Sequence, residues 1–374
     1  MNTILTITIG ITLFTSLFIA LRWGNTVCRG PMPSSLFVFC AILFTSGLDV
    51  GLIMFPLTEF PIYQQEAVYQ FANPLAIEFG MWGFLVWGFY FLTTFYFCIV
   101  EPKLKLFDIP AIKFANNCVI IATCAFTGFL FLSYLPTYVE GISSVAQYGL
   151  VVLVVLSAVL SSTDVKYVKV LSLVSTWLFF ALIIYLWNSS GMGASGFLSS
   201  ALNLQEYFTN VHRFIAPLSD HHAFYLFWWF AWSIMIGQFV SRFMSPMKTR
   251  HLLIVLFTVP SIPIAIWFSV LYYYYSEALI LSDTVKLALI CVGVVFVINS
   301  LDSLIRLYTV NLRITTDQIG CRGYILGNTL GMLSLITLYQ FTPFKIEWVG
   351  LIVIALYAAI YVLVFKRREA LSSR

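Results

Sequence analysis

The chain has 374 residues, of which 60% are hydrophobic, 17% aromatic and only 10% charged, with a mean hydropathy of +0.93. This composition excludes a soluble domain, which needs far more charged surface, and it predicts an all-α polytopic membrane protein. The net charge of +4 is informative only through the positions of the basic residues.

Apolar runs of about 20 residues predict transmembrane helices, because about that length of helix crosses the hydrocarbon core. We mark eleven, at 3–22, 33–57, 76–99, 116–136, 145–162, 166–188, 221–243, 250–275, 284–305, 321–340 and 347–365. The first run lacks the basic start and cleavage site of a signal peptide, so we expect it to remain as a span. The segment 197–214 is amphipathic and predicts a helix along the membrane surface.

The basic residues support this number of spans. With the N-terminus outside and the C-terminus in the cytoplasm, only Arg213, Lys286 and Lys345 of the 20 Lys and Arg residues lie on the outer side. Positive charge concentrates on the cytoplasmic side of membrane proteins, so the sequence predicts eleven crossings in that orientation.

Eleven spans suit one leading helix followed by two five-helix halves of opposite orientation. We therefore predict an extra helix at 1–32, a first repeat at 33–190, a surface linker at 191–220 and a second repeat with a cytoplasmic tail at 221–374. In inverted-repeat membrane proteins the first helix of each half forms the midplane site, and glycine typically breaks one of them.

The first helix of the first repeat carries Asp49 between Gly47 and Gly51. A carboxylate at the centre of a span costs roughly 2.5–3.5 kcal/mol, so it normally faces a cavity or a partner. Asp49 is then a counter-ion for a cation, a proton carrier or both, or else an acid paired with a neighbouring helix for structure. Gly47 and Gly51 permit unwinding, and the freed carbonyls must face a cavity or ligand.

The first helix of the second repeat carries Trp228, Trp229 and Trp232, which share one side of the helix. They lie roughly 10 to 17 Å into the span at 1.5 Å per residue, whereas membrane tryptophans usually gather at the interfaces. An aromatic face at this depth suits a quaternary ammonium ion, which has no hydrogen-bond donors and is held by cation–π attraction. The alternative is that the three rings are bulky packing residues.

The third span carries Trp82, Trp87 and Tyr90, which read alone indicate packing or an interfacial belt. Glu78 precedes Trp82 by one helical turn, and we expect it to be solvated near the outer mouth.

The ninth span carries Asp302 and Arg306 four residues apart, which favours an intrahelical ion pair. Asn299 and Ser300 add polar groups that either bind a small coupling ion or satisfy the backbone. A structural network is the simpler interpretation of this stretch.

The four histidines lie near span ends, and the chain contains neither HExxH nor a Walker loop. The seven cysteines occur singly, without CxxC. We therefore expect no enzyme activity, no metal and no cofactor, and an ion gradient as the energy source.

Several segments resemble the betaine/choline/carnitine transporter family. FYLFWWFAWSIMIGQFVSR (224–242) resembles the signature helix, usually close to FYWAWWxxWSPFVGxFIAR, and FTSGLDVGLIMFPLTE (44–59) resembles the unwound helix, FxAGMGIGLxFxxxxE. WGFLVWGFY matches the family spacing W-x4-W-x2-Y, and VINSLDS resembles its xTSADS stretch. The matches follow family order from about residue 3 to 365.

This resemblance implies a LeuT-like core of two inverted five-helix repeats, and a homotrimer with the surface helix in its interface. It implies an aromatic box around a trimethylammonium group, with two further tryptophans along the permeation path. The box residues are Trp82, Trp87, Tyr90 and Trp229, and the path residues are Trp228 and Trp232.

Asp49 stands where betaine-carrying members of that family have glycine, whereas proton-driven choline carriers tend to have aspartate. Asn299 stands where sodium-coupled members have threonine, and Ile234 replaces a proline of the signature. The chain lacks the family's first helix and charged tails. The resemblance therefore implies a short, divergent member of the family, located in a bacterial inner membrane.

The sequence thus predicts a secondary transporter that imports a choline-like cation, coupled to protons rather than sodium. We expect membrane lipid and no nucleic acid among its partners. One alternative is a betaine or other zwitterion or amine as substrate, with Asp49 as a proton carrier only. Another is a non-transporting onium sensor or complex subunit.

Overall fold

The computed structural model describes residues 1–48 and 50–372, which form helices and one short strand pair. The first ten helices are α1 (Asn2–Arg22), α2 (Leu36–Ser46), α3 (Val50–Met54), α4 (Pro56–Gln65), α5 (Pro74–Trp82), α6 (Phe84–Phe95), α7 (Glu101–Leu104), α8 (Pro110–Tyr138), α9 (Ser144–Ser161) and α10 (Val165–Ser189). The next eight are α11 (Ala194–Leu202), α12 (Gln205–Asn210), α13 (Asp220–Val240), α14 (Thr249–Ser276), α15 (Asp283–Leu312), α16 (Thr316–Phe341), α17 (Ile346–Lys366) and α18 (Arg368–Ser372).

Among the described residues, nine helical segments are long and apolar enough to cross a membrane. The two other predicted spans are present in a different form. The run at 33–57 is divided into α2, α3 and α4, and the run at 321–340 is the less apolar α16. An all-α polytopic fold is therefore confirmed.

Helix breaks and caps fall at residues suited to them. Asn73 caps α5 by accepting a hydrogen bond from the Ala76 N–H at 3.0 Å, and Pro74 occupies the first helical position. Gly83 has a non-helical ψ of −143° and separates α5 from α6, so the predicted helix 76–99 is interrupted at this residue. Gly320, at φ 74°, interrupts α16 directly before the predicted start of the tenth span.

Helix packing repeats between the two halves. The pair α2–α10 in the first half corresponds to α13–α17 in the second, at the same offset of five spans. Likewise, the packing of α8 on α16 corresponds to that of α15 on α9. The packing of α8 on α17 corresponds to that of α15 on α10, and the two equivalent helices α8 and α15 pack directly on each other. Because five is odd, corresponding spans run in opposite directions, as expected for a LeuT-like 5+5 inverted repeat with α1 as an extra helix.

Contacts between loops agree with the alternation of eleven crossings. Strand β1 (Val27–Cys28) follows the first span and pairs with β2 (Met247–Lys248), which follows the seventh. Lys103, after the third span, donates to the Leu371 carbonyl at 3.1 Å, after the last. On the opposite side, the Asn73 N–H donates to Glu206 Oε2 at 2.6 Å.

Helix α13 lies in the centre of the bundle, and every residue from Tyr225 to Gly237 is buried. Close approach to its neighbours depends on glycine. A Cβ on Gly237 would lie 2.3 Å from Thr93 Oγ1 of α6, and one on Gly350 of α17 would lie 2.7 Å from the Phe227 carbonyl. The helix that carries the tryptophans is therefore held tightly on two sides.

Candidate binding site

The second span is broken at the level of the tryptophans. Helix α2 ends at Ser46, Gly47 and Leu48 are not helical, and α3 begins at Val50. A second interruption at Phe55 separates α3 from α4, which begins with Pro56. Asp49 lies outside the described residues.

Side chains from four other helices hydrogen-bond to carbonyls of this broken segment. The donors are Tyr90 Oη to Gly47 at 3.4 Å, Ser300 Oγ to Leu48 at 3.1 Å, Trp267 Nε1 to Leu52 at 2.8 Å and Tyr138 Oη to Met54 at 2.6 Å. A buried carbonyl without a partner costs about 1–3 kcal/mol, so these bonds make the break tolerable inside the bundle.

Three of the predicted tryptophans form one cluster. The rings of Trp228 and Trp229 stack at 5.0 Å, and Trp82 meets them edge-on, at 5.8 Å from Trp228 and 4.9 Å from Trp229. Trp229 Nε1 donates to the Met81 carbonyl at 2.8 Å, next to the break at Gly83. This bond fixes the rotamer of Trp229, so its ring presents one defined face to Trp82.

The glycines of the broken helix make room for aromatic side chains. A Cβ on Gly51 would lie 2.7 Å from Trp82 Cη2, and one on Gly47 would lie 3.3 Å from Trp87 Cη2. Trp87 in turn meets Tyr90 edge-on at 5.2 Å. The broken helix is thus flanked by two aromatic groups, with Trp82 at Gly51 and the pair Trp87–Tyr90 at Gly47.

The remaining predicted residues have different surroundings. Trp232 is buried, and no ring contact to the other tryptophans of the cluster is found among the described residues. Ser300 is engaged on Leu48, and Ser303 hydrogen-bonds Ser46 at 3.1 Å. The amide of Asn299 is fully buried, with neither polar atom hydrogen-bonded within the described ranges.

The predicted pair of Asp302 and Arg306 is present at 3.0 Å. The Arg306 guanidinium also donates to the carbonyls of Ser161 and Asp164, each at 3.0 Å. Ser161 is the last residue of α9, where the helix dipole favours a cation, and Asp164 is the N-cap of α10. The pair therefore anchors α15 to the turn between α9 and α10, which suits a structural role.

Two glutamates are buried here, of which Glu59 was not singled out from the sequence. Glu59 of α4 accepts hydrogen bonds at Oε2 from Tyr63 at 2.7 Å and Tyr225 at 2.8 Å, and His221 Nε2 lies 3.5 Å from its Oε1. Glu78 of α5 faces Glu59, Tyr63 and Trp82. Glu78 thus lies beside Trp82 of the aromatic cluster, and Glu59 is linked to that cluster through Tyr225, whose ring is 5.8 Å from that of Trp82.

The prediction that Glu78 is solvated is wrong, because its side chain is 0% exposed. The loop and surface helices between spans fold over this end of α5, where Glu206 of α12 holds the Asn73 N–H and Phe214 contacts Gly80. The available signal was the isolation of Glu78 within an apolar run, one turn from Trp82. This sequence pattern does not distinguish a solvated glutamate from a buried one.

The site therefore combines aromatic faces, a broken helix and buried carboxyls inside the helix bundle. Such a combination can bind an organic cation and exchange protons. Within residues 1–48 and 50–372, no group of three or more His, Cys, Asp or Glu side chains is placed to hold a metal ion.

No family model matches the sequence, and no curated protein matches it. Among solved structures, the chain is similar to a Na⁺-coupled sialic acid symporter in a substrate-bound, outward-open state. The identity is 13%, the match covers 99% of this chain and 82% of that one, and the TM-score is 0.41. A score at this level does not establish a shared fold, so the fold assignment rests on the helix packing described above.

Proposed function

We propose that the protein is a secondary active transporter that imports a small choline-like cation of the quaternary-ammonium type by alternating access, coupled to protons. The observation that carries this proposal is the contact of Trp82, Trp228 and Trp229 beside the broken second span. Indole faces in a low-dielectric site attract a cation that has no donors to offer. Two five-helix halves of opposite direction around that site suit alternating access.

In this proposal the cation enters between Trp82 and Trp229, whose rings separate to receive it. Trp87 and Tyr90 supply the second aromatic group, Trp228 stacks behind Trp229, and Trp232 follows along the path. Asp49 supplies the compensating charge and exchanges the coupling proton. Gly47 and Gly51 keep the broken helix close to the rings, since a Cβ at either position would press on a tryptophan.

For the coupling ion we favour a proton over sodium. Asn299 and Ser300 lie beside the broken helix, where a small cation would be held. Asn299 differs from the threonine of sodium-coupled members of the family that the sequence resembles. Membership of the betaine/choline/carnitine transporter family is part of the same proposal.

We further propose that the repeats extend over 33–190 and 221–374, with 1–32 as an added helix and 191–220 as a linker. The protein would lie in a bacterial inner membrane with its N-terminus outside, because the basic residues concentrate on the other side. The leucines and aromatics exposed on α11 and α12, among them Leu198 at 59% and Phe208 at 58% exposure, favour burial in a homotrimer.

Membrane lipid is the remaining proposed partner. An apolar cavity of about 1110 Å³ lies along α1, α6 and α17, and Lys103, Lys366 and Arg368 line it. Cations at the rim of an apolar groove suit an anionic headgroup with its acyl chains.

The proposal is tested by uptake of labelled choline into proteoliposomes under an inward proton gradient or an inward sodium gradient. We expect uptake with the proton gradient, its loss in Trp229→Ala and Asp49→Asn, and its retention in Trp348→Ala. Trp348 is the matched control because this residue is 48% exposed and makes no ring contact with the cluster among the described residues. Competition by betaine would indicate the zwitterion instead.

Equal uptake by wild type and Trp229→Ala would reject the aromatic site. Binding of choline, seen as a change in tryptophan fluorescence, without any counterflow would identify a sensor rather than a transporter.

A further inference from the structure

We infer that Glu59 and Glu78 together bind one proton, at a site between the tryptophan cluster and the outer end of α13. This inference rests on the proposed proton-coupled transport and adds to Asp49 a second site that holds a proton. Neither carboxyl belongs to the site expected from the sequence.

The burial of the pair sets its charge. Glu59 is 1% exposed and Glu78 is 0% exposed, and the two side chains face each other. Two carboxylates that share a buried space repel each other and both lose their hydration, so one of them holds a proton. The nearest cation is His221, whose Nε2 is 3.5 Å from Glu59 Oε1.

Hydrogen bonding divides the roles within the pair. Glu59 Oε2 already accepts from two phenols, which suits an ionised carboxylate. Four polar atoms here have no hydrogen-bond partner among the described residues. They are Glu59 Oε1, both carboxyl oxygens of Glu78 and Trp82 Nε1. A proton on Glu78 provides the missing donor for Glu59 Oε1, and the second Glu78 oxygen becomes an acceptor for Trp82 Nε1. One proton thus completes the set of four unpartnered atoms.

The packing favours a proton over an organic cation as the ligand. Trp82 lies against Glu78, and its ring contacts Tyr225 at 5.8 Å and Trp229 at 4.9 Å. Rings at these separations are in van der Waals contact, so this closed arrangement has room only for a proton beside Glu78, and the choline-like cation proposed above can enter only after Trp82 and Trp229 separate.

The other titratable side chains that interact electrostatically with the pair are neutral phenols and one histidine. They are Tyr63 on α4, Tyr69 in the following turn, Tyr134 and Tyr138 on α8, and His221 and Tyr225 on α13. Burial raises the pKa of Tyr69, which lies outside the spans, to about 12. This phenol therefore stays neutral across the physiological range.

Charged groups on the remaining packed elements are engaged elsewhere. Arg213 stacks on Phe71, 4.6 Å from the ring, and Glu206 binds the Asn73 N–H. On α13, His222 Nδ1 accepts from the Leu218 N–H at 3.1 Å. On α14, the nearest titratable groups are Tyr272 and Tyr275, which pack on Phe60. His221 is therefore the group that can pass a proton to Glu59 from the outer side.

The site is linked to the tryptophan cluster through a single side chain. Trp82 presents Nε1 to Glu78 and its ring edge to Trp229. When the proton leaves, Glu78 becomes a carboxylate and attracts the indole N–H more strongly. This attraction shifts the Trp82 ring relative to Trp229, so proton occupancy alters the aromatic site.

Infrared titration of reconstituted protein tests the proton site directly. The C=O stretch of a protonated carboxylic acid should be present in wild type at neutral pH. It should disappear in Glu78→Gln, which lacks the carboxyl that holds the proton, and shift in frequency in Glu59→Gln, where Glu78 stays buried but loses its charged acceptor. Glu66→Gln is the control, since Glu66 is exposed on the same side. A band that persists in Glu78→Gln, that Glu59→Gln leaves unchanged, or that Glu66→Gln also removes would overturn the inference.

Transport assays separate this inference from the proposed function. Choline counterflow needs no gradient, so Glu78→Gln should keep at least half of it and lose at least tenfold in proton-driven uptake. Equal proton-driven uptake by wild type and Glu78→Gln would refute a role of the pair in coupling. No counterflow by wild type would instead reject choline transport, and the infrared band would still decide the proton site.

Discussion

The molecule buries acidic side chains in two regions, and it treats them differently. At the end proposed to face the cytoplasm, Asp302 is paired with Arg306, which also binds carbonyls at the end of α9 and the start of α10. At the opposite end, Glu59 and Glu78 are buried together, with two phenols on one Glu59 oxygen, His221 3.5 Å from the other, and no hydrogen bond to Glu78 among the described residues. Arg306 balances the charge of Asp302, whereas the proposed proton, together with His221 when it is protonated, balances the charge of the glutamate pair. The Asp302–Arg306 pair stabilises the fold, whereas the Glu59–Glu78 pair can gain or lose a proton.

The largest expected effect is on the inner pair. Arg306→Met leaves Asp302 buried without a partner, and breaking a buried ion pair costs about 3–5 kcal/mol. We expect a marked fall in the midpoint of thermal unfolding of protein in lipid nanodiscs. Arg322→Met is the control because Arg322 is exposed on the same side. The double variant Asp302→Leu, Arg306→Met should recover much of the loss, and an equally unstable double variant would contradict this account.

A smaller effect is expected where the broken helix meets the tryptophans. Gly51→Ala places a Cβ 2.7 Å from Trp82 Cη2 and 3.0 Å from Phe55 Cε2. Overpacking of this kind costs about 1–3 kcal/mol, and it should also displace Trp82 from Trp229. Tryptophan fluorescence should change together with stability. Gly149→Ala, at a glycine with no atom within 4 Å of its added Cβ, should change neither. An unchanged emission spectrum in Gly51→Ala would show that the ring contact does not depend on this glycine.

Ser300→Ala should have a still smaller effect. It removes the donor to the Leu48 carbonyl and leaves that group buried, at a cost of about 1 kcal/mol or slightly more. Unfolding in increasing denaturant measures the loss. Thr258→Ala removes an exposed hydroxyl that bonds only within its own helix, so its midpoint should stay near that of wild type. Equal midpoints for the two variants would mean that the Leu48 carbonyl finds another donor.

The smallest effect is expected for Glu78→Met, the outer counterpart of Arg306→Met. The methionine keeps the volume and removes both the desolvation penalty of a buried carboxyl and the hydrogen bonds proposed for protonated Glu78, so the two effects offset and stability should change by less than about 1 kcal/mol. The same thermal unfolding assay compares the two variants directly. A loss as large as that of Arg306→Met would show that Glu78 is structural, and the contrast between the two regions would disappear.

Much of this architecture follows from local patterns in the sequence. Apolar runs and the placement of Lys and Arg predict the number of spans and their alternation. A spacing of four residues predicts the ion pair of Asp302 with Arg306. By contrast, the spacing of the α13 tryptophans predicts contacts of Trp232 with Trp228 and Trp229, whereas the stacked rings belong to the sequence neighbours Trp228 and Trp229. Each of these features depends on residues close together in the chain.

The features that could not be predicted depend on distant residues. Glu59 and Glu78 lie on separate helices, and the loop between them together with α12 folds over both and excludes water. Likewise, a lone glycine rarely breaks a membrane helix, yet Gly83 does. This break decides which side Trp82 faces and frees the Met81 carbonyl for Trp229. No periodicity in the sequence encodes either arrangement.

The hydrogen bonds to the broken second span also bear on the speed of any rearrangement. Tyr90, Tyr138, Trp267 and Ser300 belong to four different helices, and each holds one carbonyl of 47–54. If the segment tilts alone, it breaks all four bonds at about 1 kcal/mol or more each. If the four helices move with it, the bonds survive, and the segment travels as part of a larger rigid body. A steep temperature dependence of turnover would distinguish solitary tilting from this joint movement.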